Sequence, residues 1–147
     1  MRRGFTLITA ILFMVLVATI AALALTFSSF STKQTTDLYL REQAELLLQS
    51  GTEFALLAIS GHDINATGTC VNTINTQYIP KTGANPLFNI DITINYMGRG
   101  LPGGCNILSN AVDTNDSNIT VIIDTIVEDN NISTEPIRLH RRTIQKP

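Results

Sequence analysis

From Phe5 to Phe27 the chain carries no charge, no glycine and no proline, a run of 23 residues. About 20 apolar residues in a helix cross the ~30 Å hydrocarbon core of a bilayer, so this run is long enough for one membrane span. Glycine and proline stay absent from Gly4 to Gly51, which leaves 46 residues with nothing to interrupt a helix. Such a helix would be about 70 Å long at ~1.5 Å per residue, well beyond the usual globular length.

The side chains of enzyme chemistry are also scarce. Histidine occurs only at His62 and His140, and neither stands beside a Ser or Cys nucleophile in a recognisable motif. No catalytic residue is expected, and the chain does not read as an enzyme. Gly98-Arg99-Gly100-Leu101-Pro102-Gly103 has the G-x-G-x-x-G spacing after a strand, but Pro102, Gly104 and Cys105 describe a loop where a dinucleotide site needs a helix. Asp113-Thr114-Asn115-Asp116-Ser117-Asn118 alternates oxygen side chains as a calcium loop would. It lacks the later Gly and bidentate Glu of an EF-hand, and Asx turns account for the same residues. No metal and no cofactor is expected.

Two arginines, Arg2 and Arg3, precede the apolar run. The positive-inside bias keeps that end in the cytoplasm and sends the remainder outward. Ala22-Leu23-Ala24 offers a competing small-residue cleavage site of the secretory kind, which would release a soluble periplasmic protein. Against it, apolar residues continue through Leu25 and Phe27, and the run exceeds the 7–15 residues of an ordinary signal sequence.

The junction Arg2-Arg3-Gly4-Phe5-Thr6-Leu7-Ile8 resembles the processing site of type IV prepilins and type II secretion pseudopilins: a short basic leader ending in Gly, then Phe-Thr-Leu-Ile opening a long apolar helix. The resemblance covers roughly residues 1–60 closely and the remainder in architecture. It implies cleavage between Gly4 and Phe5 by a membrane prepilin peptidase and N-methylation of Phe5. It further implies a first helix that forms a filament core with other subunits, after extraction by an inner-membrane assembly platform. The family normally has Glu where this chain has Thr9. That Glu is thought to pair with the amine of a neighbouring subunit inside the apolar core, where a charge needs its partner. A subunit with none above it can lack the Glu, so Thr9 points to a minor, tip or priming subunit and puts methylation of Phe5 in question. The alternatives are a membrane-anchored or secreted periplasmic binding protein and a DNA-capturing minor pilin of a competence system.

Beyond the span the pattern changes. Leu40, Ala44, Leu47, Leu48, Gly51, Phe54, Ala55, Ala58 and Ile59 recur at helical spacing, while Lys33, Asp37, Arg41, Glu42, Glu45 and Glu53 fall mostly off that stripe. The helix therefore packs one face on something, and Gly61 suits the left-handed position after its end. Ser28, Ser29, Ser31 and Thr32 mark the membrane exit, where hydroxyls can bond the i−4 carbonyl. After Gly68 the period becomes two. Ile90, Ile92, Ile94 and Tyr96 alternate with polar residues, Asn118–Val127 is a more apolar central strand, and Val71–Ile79 and Ile137–Ile144 are weaker ones. The expected fold is α+β and pilin-like: a long N-terminal helix packed on a small antiparallel sheet. Its parts are a leader (1–4), the transmembrane half of the helix (5–27), an amphipathic periplasmic half (28–60) and a β domain (61–147).

So small a core gains from a covalent tie. In an extracytoplasmic domain, Cys70 and Cys105 are most economically a disulfide, worth about 4 kcal/mol in the chain-entropy model. Asn65, Asn118 and Asn131 each sit in an Asp-x-Asn-x-Ser/Thr match, a stricter form of the glycan acceptor pattern. Arg138, Arg141, Arg142 and Lys146 gather near the C-terminus with no acidic residue after Glu135. They would attract phosphates or guard a strand edge against unwanted pairing. No aromatic residues interleave them for base stacking, so a guarded edge is favoured and no nucleic acid is expected.

Overall fold

The computed structural model describes residues 3–112 and 119–147, the side chains of 3–6 excepted. Asn118 and the Asp113–Asn118 calcium candidate lie outside the described residues. Its elements run α1 (Arg3–Ser60), α2 (Ile64–Thr67), β1 (Thr73–Tyr78), β2 (Phe88–Gly98), β3 (Ile107–Ser109), β4 (Ile119–Asp129) and β5 (Arg138–Gln145). They group into two compact units, Met1–Leu38 and Tyr39–Pro147.

In the first unit, the absence of helix breakers gives an uninterrupted helix, apolar on all sides. Leu12, Phe13, Met14, Leu25 and Phe27 are exposed together with every described neighbour. Among the described residues this is one helix long and apolar enough to cross a membrane. Its hydroxyls do not spoil that character, because they bond back to the helix. Thr19 donates to the Leu16 carbonyl at 2.8 Å and Thr26 to that of Leu23 at 2.7 Å. The expected i−4 bonds follow at the end of the run, from Thr32 to Ser28 and from Thr35 to Ser31.

The second unit is the α+β layer. Leu40, Ala44, Leu48, Ala55 and Ile59 are buried on one side of α1, against Phe88, Ile90, Ile92, Ile94 and Tyr96 of β2 and Val121, Ile123 and Val127 of β4. Strand order is β1-β2-β4-β5 with every pair antiparallel. The inward rows follow from the register: Ile92 faces Thr125, Ile94 faces Ile123, and Tyr96 faces Val121. At the row through Thr125 the helix comes closest. A Cβ on Gly51 would lie 3.2 Å from Thr125 Cγ2 and 3.4 Å from Ile90 Cγ2, so the absent side chain sets the layer spacing. Beside it, the buried Thr52 hydroxyl bonds the Leu48 carbonyl at 3.0 Å and meets the Thr125 hydroxyl at 3.2 Å.

Two expectations need correction, and one strand is added. Phe54 is half-exposed, and Thr52 takes the inward place because its hydroxyl has Thr125 to meet. The expected antiparallel sheet is present, and a fifth strand, β3, is added to it off the main path, pairing parallel with β2 at Tyr96–Ile107. β3 is three residues long, too short for a periodic signal. Gly61 is not left-handed: its N–H still reaches the Leu57 carbonyl at 3.0 Å, and His62 then bonds Ile59 three residues back at 3.2 Å. The helix tightens and stops, and the left-handed glycine is Gly68 (φ 65°), which closes α2.

Filling the space at Gly51 should push the layers apart. Gly51→Leu is expected to cost about 1–3 kcal/mol, seen as a lower urea midpoint of the full chain in detergent. An unchanged midpoint would mean the helix does not approach there. Thr125→Val strands the Thr52 hydroxyl less than a free one, since it keeps Leu48, yet should cost about 1 kcal/mol. The Thr52→Val/Thr125→Val pair should cost less than the sum of its singles in a double-mutant cycle.

Candidate functional site

Gly4 and Phe5 fall in the backbone of α1, one and two residues after its start. Thr9 lies exposed on the same helix. Gly4-Phe5 is thus the start of a helix and Thr9 a position on its surface.

Cys70 and Cys105 form a disulfide, with Cα atoms 4.8 Å apart. Around it the loop after β2 is tied down by polar contacts that sequence reasoning did not foresee. Asn72 donates to the Gly104 carbonyl at 2.8 Å and accepts from the Asn106 N–H at 2.9 Å. The Tyr96 hydroxyl donates to the Val71 carbonyl at 2.8 Å, while burial pushes its pKa up against that bond. Between Gly98 and Cys105 no helix opens, and Gly100 turns the chain at φ 73°. The G-x-G-x-x-G spacing is therefore a turn. Among the described residues no group of three His, Cys, Asp or Glu side chains is placed to hold a metal ion.

Both described glycan matches are built around their Asp. Asp63 caps α2, its carboxylate accepting from the Asn65 and Ala66 N–H groups at 3.0 and 3.1 Å. That puts Asn65 in a helical turn, where Thr67 donates back to the Asp63 carbonyl at 2.8 Å. Asp129 organises the loop from β4 to β5. It accepts from the Ile132, Ser133 and Ile137 N–H groups and from the Ser133 hydroxyl. Asn131 stands exposed on this loop in the left-handed region (φ 58°). Burial alone would raise the Asp129 carboxyl, but the donors of Ser133, Ile137 and Ile132 outweigh it and hold the pKa below the usual range.

The basic residues of β5 divide by face. Arg138, His140 and Arg142 share the outer face of the sheet and turn to carboxylates of β4, while Arg141 lies on the opposite side in the row of Thr125. Arg138 meets Glu128 at 2.7 Å, and Asp124 takes both Arg142 at 2.7 Å and His140 at 2.9 Å. The Arg142 guanidinium, with help from His140, holds the Asp124 carboxyl low against its burial. These pairs belong to directly opposed or adjacent positions of the β4–β5 register, so they pin the edge strand in place.

Comparison with protein-family models, with curated proteins and with solved structures finds no match to this chain.

The depressed Asp124 and Asp129 pKa values fix the sign of an acid transition. A carboxylate lowered in the folded state stabilises at pH above its unfolded value, about 3.9. That contribution is lost as the pH falls through the folded value. Stability should therefore be flat in these two groups above about pH 5 and fall below about 4. Asp124→Asn should shallow that fall without moving the neutral plateau's slope, as read from urea midpoints against pH.

Proposed function

We propose that this chain is a non-enzymatic minor subunit of a pilin-like filament, of the type II secretion or type IV pilus kind. It is held by its first helix in the bacterial inner membrane, with the N-terminus cytoplasmic and the β domain periplasmic, until it joins the filament. The observation that carries the reading is the junction Gly4-Phe5-Thr6-Leu7-Ile8 after two arginines, at the head of a helix that runs unbroken to Ser60. The span supplies an apolar surface for lipid or for neighbouring helices, and the far end of the same helix is one wall of a folded domain. A detachable signal sequence has no need of that continuity. The partners are a prepilin peptidase, other subunits and the assembly platform.

Thr9 in place of the family's Glu sets the rank of the subunit. Without that carboxylate the chain offers no counter-charge to an amine above it, which suits a tip or priming position. A DNA-capturing role gains little from the basic C-terminus. Two of its arginines, Arg138 and Arg142, already face carboxylates of β4.

N-terminal sequencing of the mature protein, recovered from a host with a prepilin peptidase, tests the reading directly. A start at Phe5 supports it. A start at Leu25 would show a secreted protein, and an intact Met1 a simple anchor; either outcome sinks the proposal. Gly4→Leu should leave residues 1–4 attached in the same host, visible as an unprocessed intact mass.

A further inference from the structure

The two edges of the sheet are finished differently. β5 carries Arg138, His140 and Arg142 on its outer face and Arg141 on its inner one, the charged pattern with which natural sheets refuse a further strand. β1, Thr-Ile-Asn-Thr-Gln-Tyr, has no charge, no proline and no bulge in its pairing with β2. It is also largely exposed, with only Ile74 and Tyr78 half-buried.

The direction of its hydrogen bonds follows from the register. Just before β1, Asn72 accepts from the Ile94 N–H at 2.8 Å, and at its far end Tyr78 accepts from Leu87 at 2.9 Å. Bonding alternates along an antiparallel pair, so Ile74 and Thr76 also face β2, and Thr73, Asn75 and Gln77 direct their N–H and C=O groups outward. Among the described residues no backbone group meets them there.

On the outer face of the sheet, starting at this edge and crossing β2 to β4, lies an open groove of about 640 Å³, lined by Asn75, Gln77, Ile79, Asn89, Asp91 and Glu128 among others. Its charge is one-sided. Glu128 is paired with Arg138, and Asp91, directly opposite Asn75, has no cation partner among the described residues. A strand laid on β1, about 4.8 Å from it, would set alternate side chains at the open end of this groove. A Lys or Arg opposite Asn75 would reach across that short side chain to Asp91.

We propose that β1 is a docking edge for an extended, basic segment of a partner protein. The segment adds as a further strand, through the outward backbone groups of Thr73, Asn75 and Gln77 and an ion pair with Asp91. The main-chain bonds supply the affinity and Asp91 the preference for a cation. This surface does not depend on how the N-terminus is processed, so its test stands apart from that of the filament reading.

The test uses the full chain in nonionic detergent and the blocked, labelled peptide Thr-Ile-Lys-Ile-Lys-Ile-Thr, with a copy carrying Glu for Lys. Fluorescence anisotropy should show the Lys peptide binding and the Glu peptide binding more weakly, and hydrogen exchange should slow across 73–78. Asn75→Pro removes one outward donor without touching the β2 ladder and should abolish binding. Asp91→Asn, which keeps the shape of the site, should weaken the Lys peptide by about 2- to 5-fold and leave the Glu peptide no weaker. The proposal is overturned if the Lys peptide does not bind, if it binds Asp91→Asn as well as the parent, or if protection appears elsewhere than at β1.

Discussion

The burial of one face of α1 on β2 and β4 is the interaction on which the rest of the domain depends. An open sheet of four main strands has two solvent faces and two free edges, and it is stable only when one face is covered. Here the cover is a single helix, and it reaches only the two middle strands in force. Phe88, Ile92, Ile94, Tyr96, Val121, Ile123, Thr125 and Val127 are fully buried, whereas β1 and β5 alternate between half-buried and exposed. The close approach at Gly51 serves this geometry. One narrow helix covers two strands best when its backbone lies near them, and the small residues Ala44, Gly51 and Ala55 allow that.

The outer strands are consequently held by other means, and those means differ in kind. β5 keeps its place through polar and charge pairs across to β4, with Asp124 meeting both Arg142 and His140. β1 keeps its place through the ladder with β2, helped by the Tyr78 hydroxyl, which accepts from Gln43 of the helix at 3.2 Å. A charged edge repels further strands and an uncharged one does not, so the way each strand is anchored also decides how it meets other chains.

Much of this was legible in the residues. The alternation Ile90, Ile92, Ile94, Tyr96 is a direct image of a strand with one buried face, and the freedom from Gly and Pro before Gly51 is an image of the helix. What escaped was whatever depends on a partner distant in sequence. Thr52 reads as a polar interruption until Thr125, across the layer, gives its hydroxyl somewhere to go. Arg138 and Arg142 read as free charge until the β4–β5 register sets carboxylates beside them. Gly61 looked like a left-handed cap because glycine commonly serves as one, yet Asp63 two residues later starts a new turn, and the chain has no need to reverse. The Gly4-Phe5 junction is the opposite case: its meaning is carried by the local string, and the fold adds only that a helix begins there.

The loop after β2 shows why a disulfide and a hydrogen-bond network occur together. Cys70–Cys105 restricts the unfolded chain, an effect that does not depend on where the loop lies once folded. Placement needs directional contacts, and Asn72 supplies them by holding Gly104 and Asn106 from one side chain. Asn106 in turn offers its carbonyl to the Tyr96 N–H at 2.8 Å, which joins the loop to the end of β2. The covalent bond thus limits how far the segment can stray, while the amide of Asn72 selects one arrangement within that limit. A segment fixed in both ways is able to present a constant surface beside the end of α1, in a domain whose core is too small to enforce it by packing alone.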